Sequence, residues 1–357
     1  MTETEQLLDE NKLIYITGDT PGISRRLKGK GYAYFNSKSH PVTNDKTLDR
    51  IKKLAIPPAW ENVWIAERAN AHLQATGIDK AGRKQYRYHP DWCKSRNENK
   101  YYRLLEFGKQ LPLFRKNIEK DLRRKALDER KVLAISVNMM QKTLIRVGNE
   151  TYKQLYGSYG LTTLRDKHVK INGNNLKLSF RGKKGIYHEI SLNDKNLARM
   201  VKKCRDIPGQ ELFQYYTDQG DRKSIDSGKI NNYIKEITCC DFTAKDFRTW
   251  SGTLETLKQI AVYDYPENIT LRKKVIITVL DTVAAKLGNT RAICKKSYVF
   301  PDLLEAYENG GIISYLRKIS GSVHPSGEGG LNNDEKVLLS FLKDQRKRKT
   351  NPIRSRK

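Results

Sequence analysis

The stretch HVKINGNNLKLSFRGKKGIYHEISL, residues 168–192, decides how this chain is read. Leu176, Leu178 and Phe180 alternate with Lys177, Ser179 and Arg181, the period of a half-buried strand. Asn172-Gly173 and the run from Gly182 to Gly185 are turn signals. Together they predict a small three-stranded sheet with a basic turn at Arg181 to Gly185. Helical patterns lie on both sides, so this sheet is an insertion in a mainly helical domain.

Upstream, LFRKNIEKDLRRKALD (113–128) carries the three-to-four spacing of an amphipathic helix with a basic face. VLAISVNMMQKTLIRVGNETYKQLY (132–156) is apolar enough for a central buried helix pair, with Arg146 set in it. Downstream, Asn193-Asp194, Asp226-Ser227, Thr243 and Thr270 can each cap a helix start. The first hundred residues have another character. KLIYITG, GYAYFN and NVWIAE are short β-branched and aromatic runs broken by Gly and Pro, and GRKQYRYHPDW continues them as far as Pro90. The polar bridge Lys94 to Lys100 marks a boundary. The fold class expected is α+β, with three segments: a β-rich N-terminal domain (1–100), a mainly α-helical domain with the inserted sheet (101–320), and a linker with a disordered basic tail (321–357).

Charge speaks about partners. Lys and Arg number 68 against 40 Asp and Glu, a formal net charge of +28 over 357 residues. Such a charge repels itself unless a polyanion is near, which makes nucleic acid the leading partner and an anionic membrane surface the runner-up. The acidic start MTETEQLLDENK has no apolar core of a secretory signal. The most apolar segment, Val275 to Leu287, contains Asp281 and is too short for a span of about 20 residues. A cytoplasmic protein is expected. Cys93, Cys204, Cys239, Cys240 and Cys294 form no C-x-x-C pair, the six histidines no H-x-x-x-H, and no phosphate-binding G-x-x-x-x-G-K-[ST] occurs. No cofactor, metal or nucleotide is expected.

Chemistry on a phosphodiester without a metal needs a nucleophile, guanidinium groups for the charge gathering on non-bridging oxygens, and an acid for the leaving alkoxide. The candidates come in order: Arg146 in LIRVGNE, Lys183 at the β turn, Arg248 after Lys245 in AKDFRTW, Asn289 after Gly288, and Tyr298 in LGNTRAICKKSYVFP. Each has a plainer reading. Arg146 could be a structural ion pair, Lys183 a solvated turn residue, Asn289 a helix cap and Tyr298 a core tyrosine.

That order resembles the type IB DNA topoisomerases, with SFRGKKG, KDFRTW and LGNTRAICKKSYVFP similar to the small poxvirus and bacterial forms. AIPPAWENVWI and GRKQYRYH resemble the family's N-terminal DNA clamp, so the likeness runs from about Tyr32 to Tyr298. The resemblance implies relaxation of supercoiled duplex DNA by a monomer clamped around it, through a 3′-phosphotyrosyl intermediate. It makes Tyr298 the nucleophile, Arg146 and Arg248 the phosphate-clamping arginines, and Lys183 the general acid, chosen over Lys184 for its place directly after Gly182. It puts Arg83, Tyr86, Tyr88 and Lys245 on the DNA. At Asn289 the poxvirus and eukaryotic enzymes carry histidine; asparagine still donates through its amide but stays neutral at all pH. Two rivals stand beside this reading. Tyrosine recombinases share the plan but usually carry H-x-x-R, against Lys245-Asp-Phe-Arg248 here. A DNA-compacting protein would need the charge but no ordered motif set.

Overall fold

The computed structural model of the chain describes residues 3–29, 31–80, 82, 84–319 and 330–350. It divides into two compact units, residues 1–101 and 102–357.

In the first unit, after the helix α1 (Glu3–Glu10), strands β1 (Gly22–Lys28), β2 (Gly31–Phe35), β3 (Glu61–Ala66), β4 (Leu73–Ile78) and β5 (Lys84–Tyr88) form one sheet, with the helix α2 (Asp45–Lys53) between β2 and β3. The order is β2-β1-β3-β4-β5 with every neighbouring pair antiparallel. Ile23, Val63, Ile65 and Ala75 point from this sheet into a core completed by Ile51 of α2. Asn44 starts α2 by accepting from Thr47 N, and Arg50 ties the helix to the sheet through Gln74 Oε1 at 2.7 Å and Ala66 O at 2.6 Å. On β5 the exposed faces belong to Lys84, Tyr86 and Tyr88.

The expected boundary at Lys94 to Lys100 is not a loop. Pro90 opens the helix α3 (Pro90–Leu122), and the division between units falls inside it. Proline suits a first helical position, where its missing N–H is not needed, and seven polar residues without Gly or Pro offer nothing to break a helix.

The second unit is mostly helical: α4 (Glu129–Thr143), α5 (Glu150–Tyr156), α6 (Lys195–Arg205), α7 (Ser227–Thr238), α8 (Ala244–Ile260), α9 (Ile269–Lys286), α10 (Arg291–Tyr298), α11 (Pro301–Glu308), α12 (Ile313–Leu316) and α13 (Asn333–Thr350). Strands β6 (Val169–Asn172), β7 (Asn175–Arg181) and β8 (Tyr187–Asn193) form a three-stranded sheet, and β9 (Gln214–Tyr216) pairs with β10 (Arg222–Ser224). Leu176, Leu178 and Phe180 of β7 are buried beside α6, while Asn175, Lys177 and Arg181 face outward. The core centres on α4, which buries Val132 to Val137 without a break and then Met139 and Met140. A helix buried all round is what a nearly continuous apolar run requires. Phe107 anchors α3 against Phe242, Phe247 and Trp250 through edge-on and tilted ring contacts. Among the described residues no helix is long and apolar enough to cross a membrane.

Three local expectations need correcting. Helix α5 buries none of its residues, so it is not half of a buried pair. Helix α9 is capped by Asn268, two residues ahead of Thr270. The C-terminal stretch is not only linker and tail. Helix α13 buries Val337, Leu338, Phe341 and Leu342, and Arg115 holds its first turn with two bonds to Glu335 at 2.6 and 2.9 Å. Apolar residues at 337, 338, 341 and 342 have the spacing of a core-facing helix, a signal masked by the charge around it. Residues 351–357 of the expected tail lie outside the described residues.

Candidate active site

Arg146 follows α4 rather than standing within it. Leu144 caps that helix in the left-handed conformation (φ 55°) and turns the chain out. The next residues are fixed by Leu161 N donating to Arg146 O at 2.8 Å and Thr162 N to Val147 O at 2.7 Å, until Asn149 caps α5. A guanidinium in the interior of an apolar helix would need a buried partner. At this exit it faces a cavity instead.

Arg248 comes from the buried face of α8 and is 4% exposed. Its terminal nitrogens donate to Leu144 O and, at 2.6 Å, to Leu287 O. Leu144 and Leu287 are the C-caps of α4 and α9, so one side chain satisfies carbonyls at two helix ends that lack partners within their own helices.

Asn289 owes its place to the end of α9. Gly288, with φ 59°, donates to Ala285 O at 3.0 Å, and Asn289 N donates to Ala284 O at 2.9 Å. That is the paired bond pattern of a Schellman cap. The backbone of Asn289 is thus the expected cap, while its side chain does something else: Oδ1 accepts from Arg146 Nη2, and Nδ2 donates to Leu287 O at 3.3 Å.

Tyr298 is the last residue of α10, whose start is capped by Thr290. The helix lies close on α8, because Gly252 has no side chain; a Cβ there would sit 2.7 Å from Tyr298 O. Thr253 Oγ donates to the same carbonyl at 3.2 Å. The ring is 8% exposed. Its hydroxyl accepts from Arg146 Nη1 at 3.4 Å, and the guanidinium carbons of Arg248 and Arg146 lie 5.0 and 6.0 Å from the ring centre.

Lys183 sits at the exposed turn between β7 and β8, with Nζ 5.6 Å from the Tyr152 ring centre. Lys184 beside it takes a positive φ of 63°. Lys183, Lys184 and Lys245 line, with Arg146, Arg248, Asn289 and Tyr298, one cavity of about 680 Å³. Four segments far apart in sequence, around Arg146, Lys183, Arg248 and the run from Asn289 to Tyr298, therefore deliver the catalytic candidates to one place.

The electrostatics follow from this crowding. Burial pushes the Tyr298 phenol up, but the charges of Arg248 and Arg146 outweigh it, with Lys245 adding to them, and the net shift is downward from 10. Burial, then the neighbouring Arg146, lowers Arg248. Arg248 Nε is buried without an acceptor among the described residues. A phenol of lowered pKa beside two guanidinium groups, with lysines at the cavity wall, can attack an electrophilic centre that carries negative oxygens.

The family model for the catalytic core of eukaryotic DNA topoisomerase I matches residues 84–317, and that for the N-terminal domain of bacterial DNA topoisomerase IB matches residues 31–79. The chain belongs to the type IB DNA topoisomerases. The first of these spans contains every residue of the cavity. A DNA topoisomerase 1B of Acanthamoeba polyphaga mimivirus is 34% identical over 300 residues, covering 81% of this chain and 88% of the relative. The DNA topoisomerase I of Monkeypox virus and the DNA topoisomerase 1B of Vaccinia virus (strain Copenhagen) are each 24% identical over 300 residues, covering 79% and 89%.

In this topoisomerase, the expected contacts of the first unit are described in part. Tyr86 and Tyr88 are exposed on β5 with rings stacked 6.1 Å apart, whereas Arg83 lies outside the described residues. Sequence reasoning missed Tyr152, which lies under Lys183, and His188, which stands against the loops of both Lys183 and Asn289. Tyr152 could have been suspected from its place three residues after a capping asparagine, on a helix with no apolar stripe. His188 carried no such signal.

Proposed function

We propose that this type IB topoisomerase relaxes supercoiled duplex DNA with Tyr298 as its nucleophile. The observation that carries the reading is the closeness of the Tyr298 ring to two guanidinium groups, that of Arg248 at 5.0 Å and that of Arg146 at 6.0 Å. The phenol, having given its proton to solvent, attacks one backbone phosphorus. The Oη–P bond forms, the P–O5′ bond breaks, and the departing 5′ oxygen takes a proton from Lys183. A 3′-phosphotyrosyl link and a free 5′-hydroxyl result. Arg146 and Arg248 neutralise the non-bridging oxygens as charge gathers there, and Asn289 steadies Arg146 and donates its amide to the same oxygens.

The cut strand's end rotates about the intact strand, and the 5′-hydroxyl attacks the phosphotyrosine to reseal the backbone. The new ester conserves the energy of the broken one, so ATP is not consumed. Lys245 adds a phosphate contact, and Arg83, Tyr86 and Tyr88 add contacts from the first unit. The protein acts as a monomer in the cytoplasm, and +28 of net charge gives its DNA affinity a steep salt dependence.

The test is plasmid relaxation in chelator without ATP. The wild-type protein should relax a supercoiled plasmid, and Tyr298→Phe should not. Relaxation that required ATP, or survived in Tyr298→Phe, would sink the reading.

A further inference from the structure

His188 stands on β8 opposite Phe180 of β7. The two rings stack, with centroids 5.0 Å apart and planes 13° apart. Two glycines close on the edges of the imidazole. A Cβ added to Gly182 would lie 2.6 Å from its Cδ2 and Nε2, and a Cβ added to Gly288 would lie 2.3 Å from its Cε1. These glycines immediately precede Lys183 and Asn289. One flat ring thus spans two turns, each carrying a residue of the cavity.

The turn that bears Lys183 is braced by bonds within itself. Gly182 N donates to Ile186 O at 2.7 Å, and Gly185 N donates to Gly182 O at 3.1 Å. Such bonds fix the turn's shape but not its tilt towards α9 and α10. The lysine side chain is exposed, and a long ammonium arm loses much rotamer freedom when it is held in one place. His188 touches both this turn and the Asn289 loop, through Gly182 and Gly288. Only glycine lets two backbone segments come so close to the Nε2 end of one ring. His188 is not among the residues that line the cavity, so it acts through its neighbours.

We propose that His188 is a positioning residue for strand cleavage: its ring, wedged between Gly182 and Gly288, sets the reach from the Lys183 turn to the departing 5′ oxygen. The role rests on the reading of Lys183 as the acid. The wedge works as a neutral ring. Burial, then the charges of Arg248 and Arg146, lowers the imidazole pKa and keeps the proton off. Misplacing an acid by about an ångström costs rate while leaving binding intact, because phosphate contacts elsewhere carry the affinity.

The experiment is single-turnover cleavage of an oligonucleotide duplex at a site first mapped with the wild-type protein. The duplex is made once with the ordinary 5′ oxygen and once with sulfur in its place. A thiolate leaves without a proton, so a defect in proton delivery vanishes on the sulfur duplex. His188→Ala should cleave the oxygen duplex about ten- to a hundredfold more slowly, less than the roughly hundred- to ten-thousandfold lost when a positioned acid is removed outright. It should cleave the sulfur duplex within about threefold of wild type, with duplex affinity unchanged. Added to Lys183→Ala, it should cause no further loss, since a missing acid cannot be misplaced.

Gly182→Ala provides a second route should His188→Ala fold poorly. At φ −91° the backbone accepts a Cβ, but the Cβ must displace the ring, so the same oxygen-selective slowing is expected. Equal slowing on both duplexes, losses that multiply with Lys183→Ala, or Gly182→Ala at the wild-type rate would each overturn the proposal. If Lys183→Ala itself gains nothing from sulfur, the acid assignment falls and the positioning role falls with it. Rescue of Lys183→Ala without rescue of His188→Ala would remove the positioning role alone.

Discussion

Arg248 holds its guanidinium carbon 5.0 Å from the centre of the Tyr298 ring while donating to the carbonyls of Leu144 and Leu287. One side chain thus ties the ends of α4 and α9 together and puts a positive charge beside the phenol. Arg146 differs: it meets Asn289 and the hydroxyl of Tyr298, and among the described residues its side chain bonds no helix-end carbonyl.

The two arginines should therefore fail differently. Arg146→Ala and Arg248→Ala should each slow cleavage by about a hundred- to a thousandfold. Thermal unfolding should separate them. Arg248→Ala strands the buried carbonyl of Leu144 at about 1–3 kcal/mol and leaves that of Leu287 to the Asn289 amide, whereas Arg146→Ala should stay within about 1 kcal/mol of wild type. Equal losses of stability would mean that the capping role of Arg248 is wrong.

Tyr298→Phe should form no covalent adduct with DNA and should bind duplex within about threefold of wild type, because phosphate contacts dominate the affinity. In a spectrophotometric titration, the difference between wild type and Tyr298→Phe should show a phenol ionising below the ordinary 10. Replacing Arg146 by Ala should move that ionisation upward, since one attracting cation is gone. A signal at or above 10 in the wild-type protein would contradict the electrostatics of the cavity.

Asn289→His should remain active and Asn289→Ala should lose about tenfold, one neutral hydrogen bond being worth about 1 kcal/mol or a little more. Asn289→Asp should lose far more, because its carboxylate would both occupy Arg146 and repel the phosphate. The comparison needs only cleavage rates on one saturated duplex. Activity of Asn289→Asp at the level of Asn289→Ala would show that this side chain does not meet the phosphate.

Acid should destabilise the fold through His168. Burial, then Lys167 and Arg165, pushes its pKa from 6.5 to about 4. The unfolded chain binds this proton below 6.5 and the folded chain only below about 4, so stability falls as pH drops from 6.5 to about 4 and levels off beneath. The loss is at most about 3 kcal/mol. Denaturant midpoints between pH 7 and 4 should fall less steeply in His168→Gln than in wild type.

Truncation should separate the two parts of the C-terminus. Ending the chain after Asp344 keeps the buried apolar residues Val337, Leu338, Phe341 and Leu342 of α13 and should lower non-specific DNA affinity and flatten its salt dependence, with little change in cleavage rate on saturated DNA. Within α13, Leu338→Ala should cost about 2–5 kcal/mol, as a fully buried leucine does. Wild-type stability in Leu338→Ala would return α13 to the status of a tail.

Much of this protein is written locally. The alternation at Leu176, Leu178 and Phe180, the turn glycines of residues 168–192, and the caps Asp194, Asp226 and Thr243 state their own structure within a few residues, because backbone propensity and hydrophobic period act at that range. The order of Arg146, Lys183, Arg248, Asn289 and Tyr298 was legible for the same reason: motifs are linear. Their meeting was not. Arg146 leaves its helix because Leu144 turns left-handed and residues 161–162 take up the carbonyls beyond it. The terminal nitrogens of Arg248 are placed by carbonyls 104 and 39 residues away. His188 meets the loop of Asn289 only because Gly288, 100 residues away in sequence, packs on its ring, and α13 is a helix of the core only because α8, α12 and Arg115 receive it. Those contacts join segments whose separation no local period encodes, so the folded chain alone decides them.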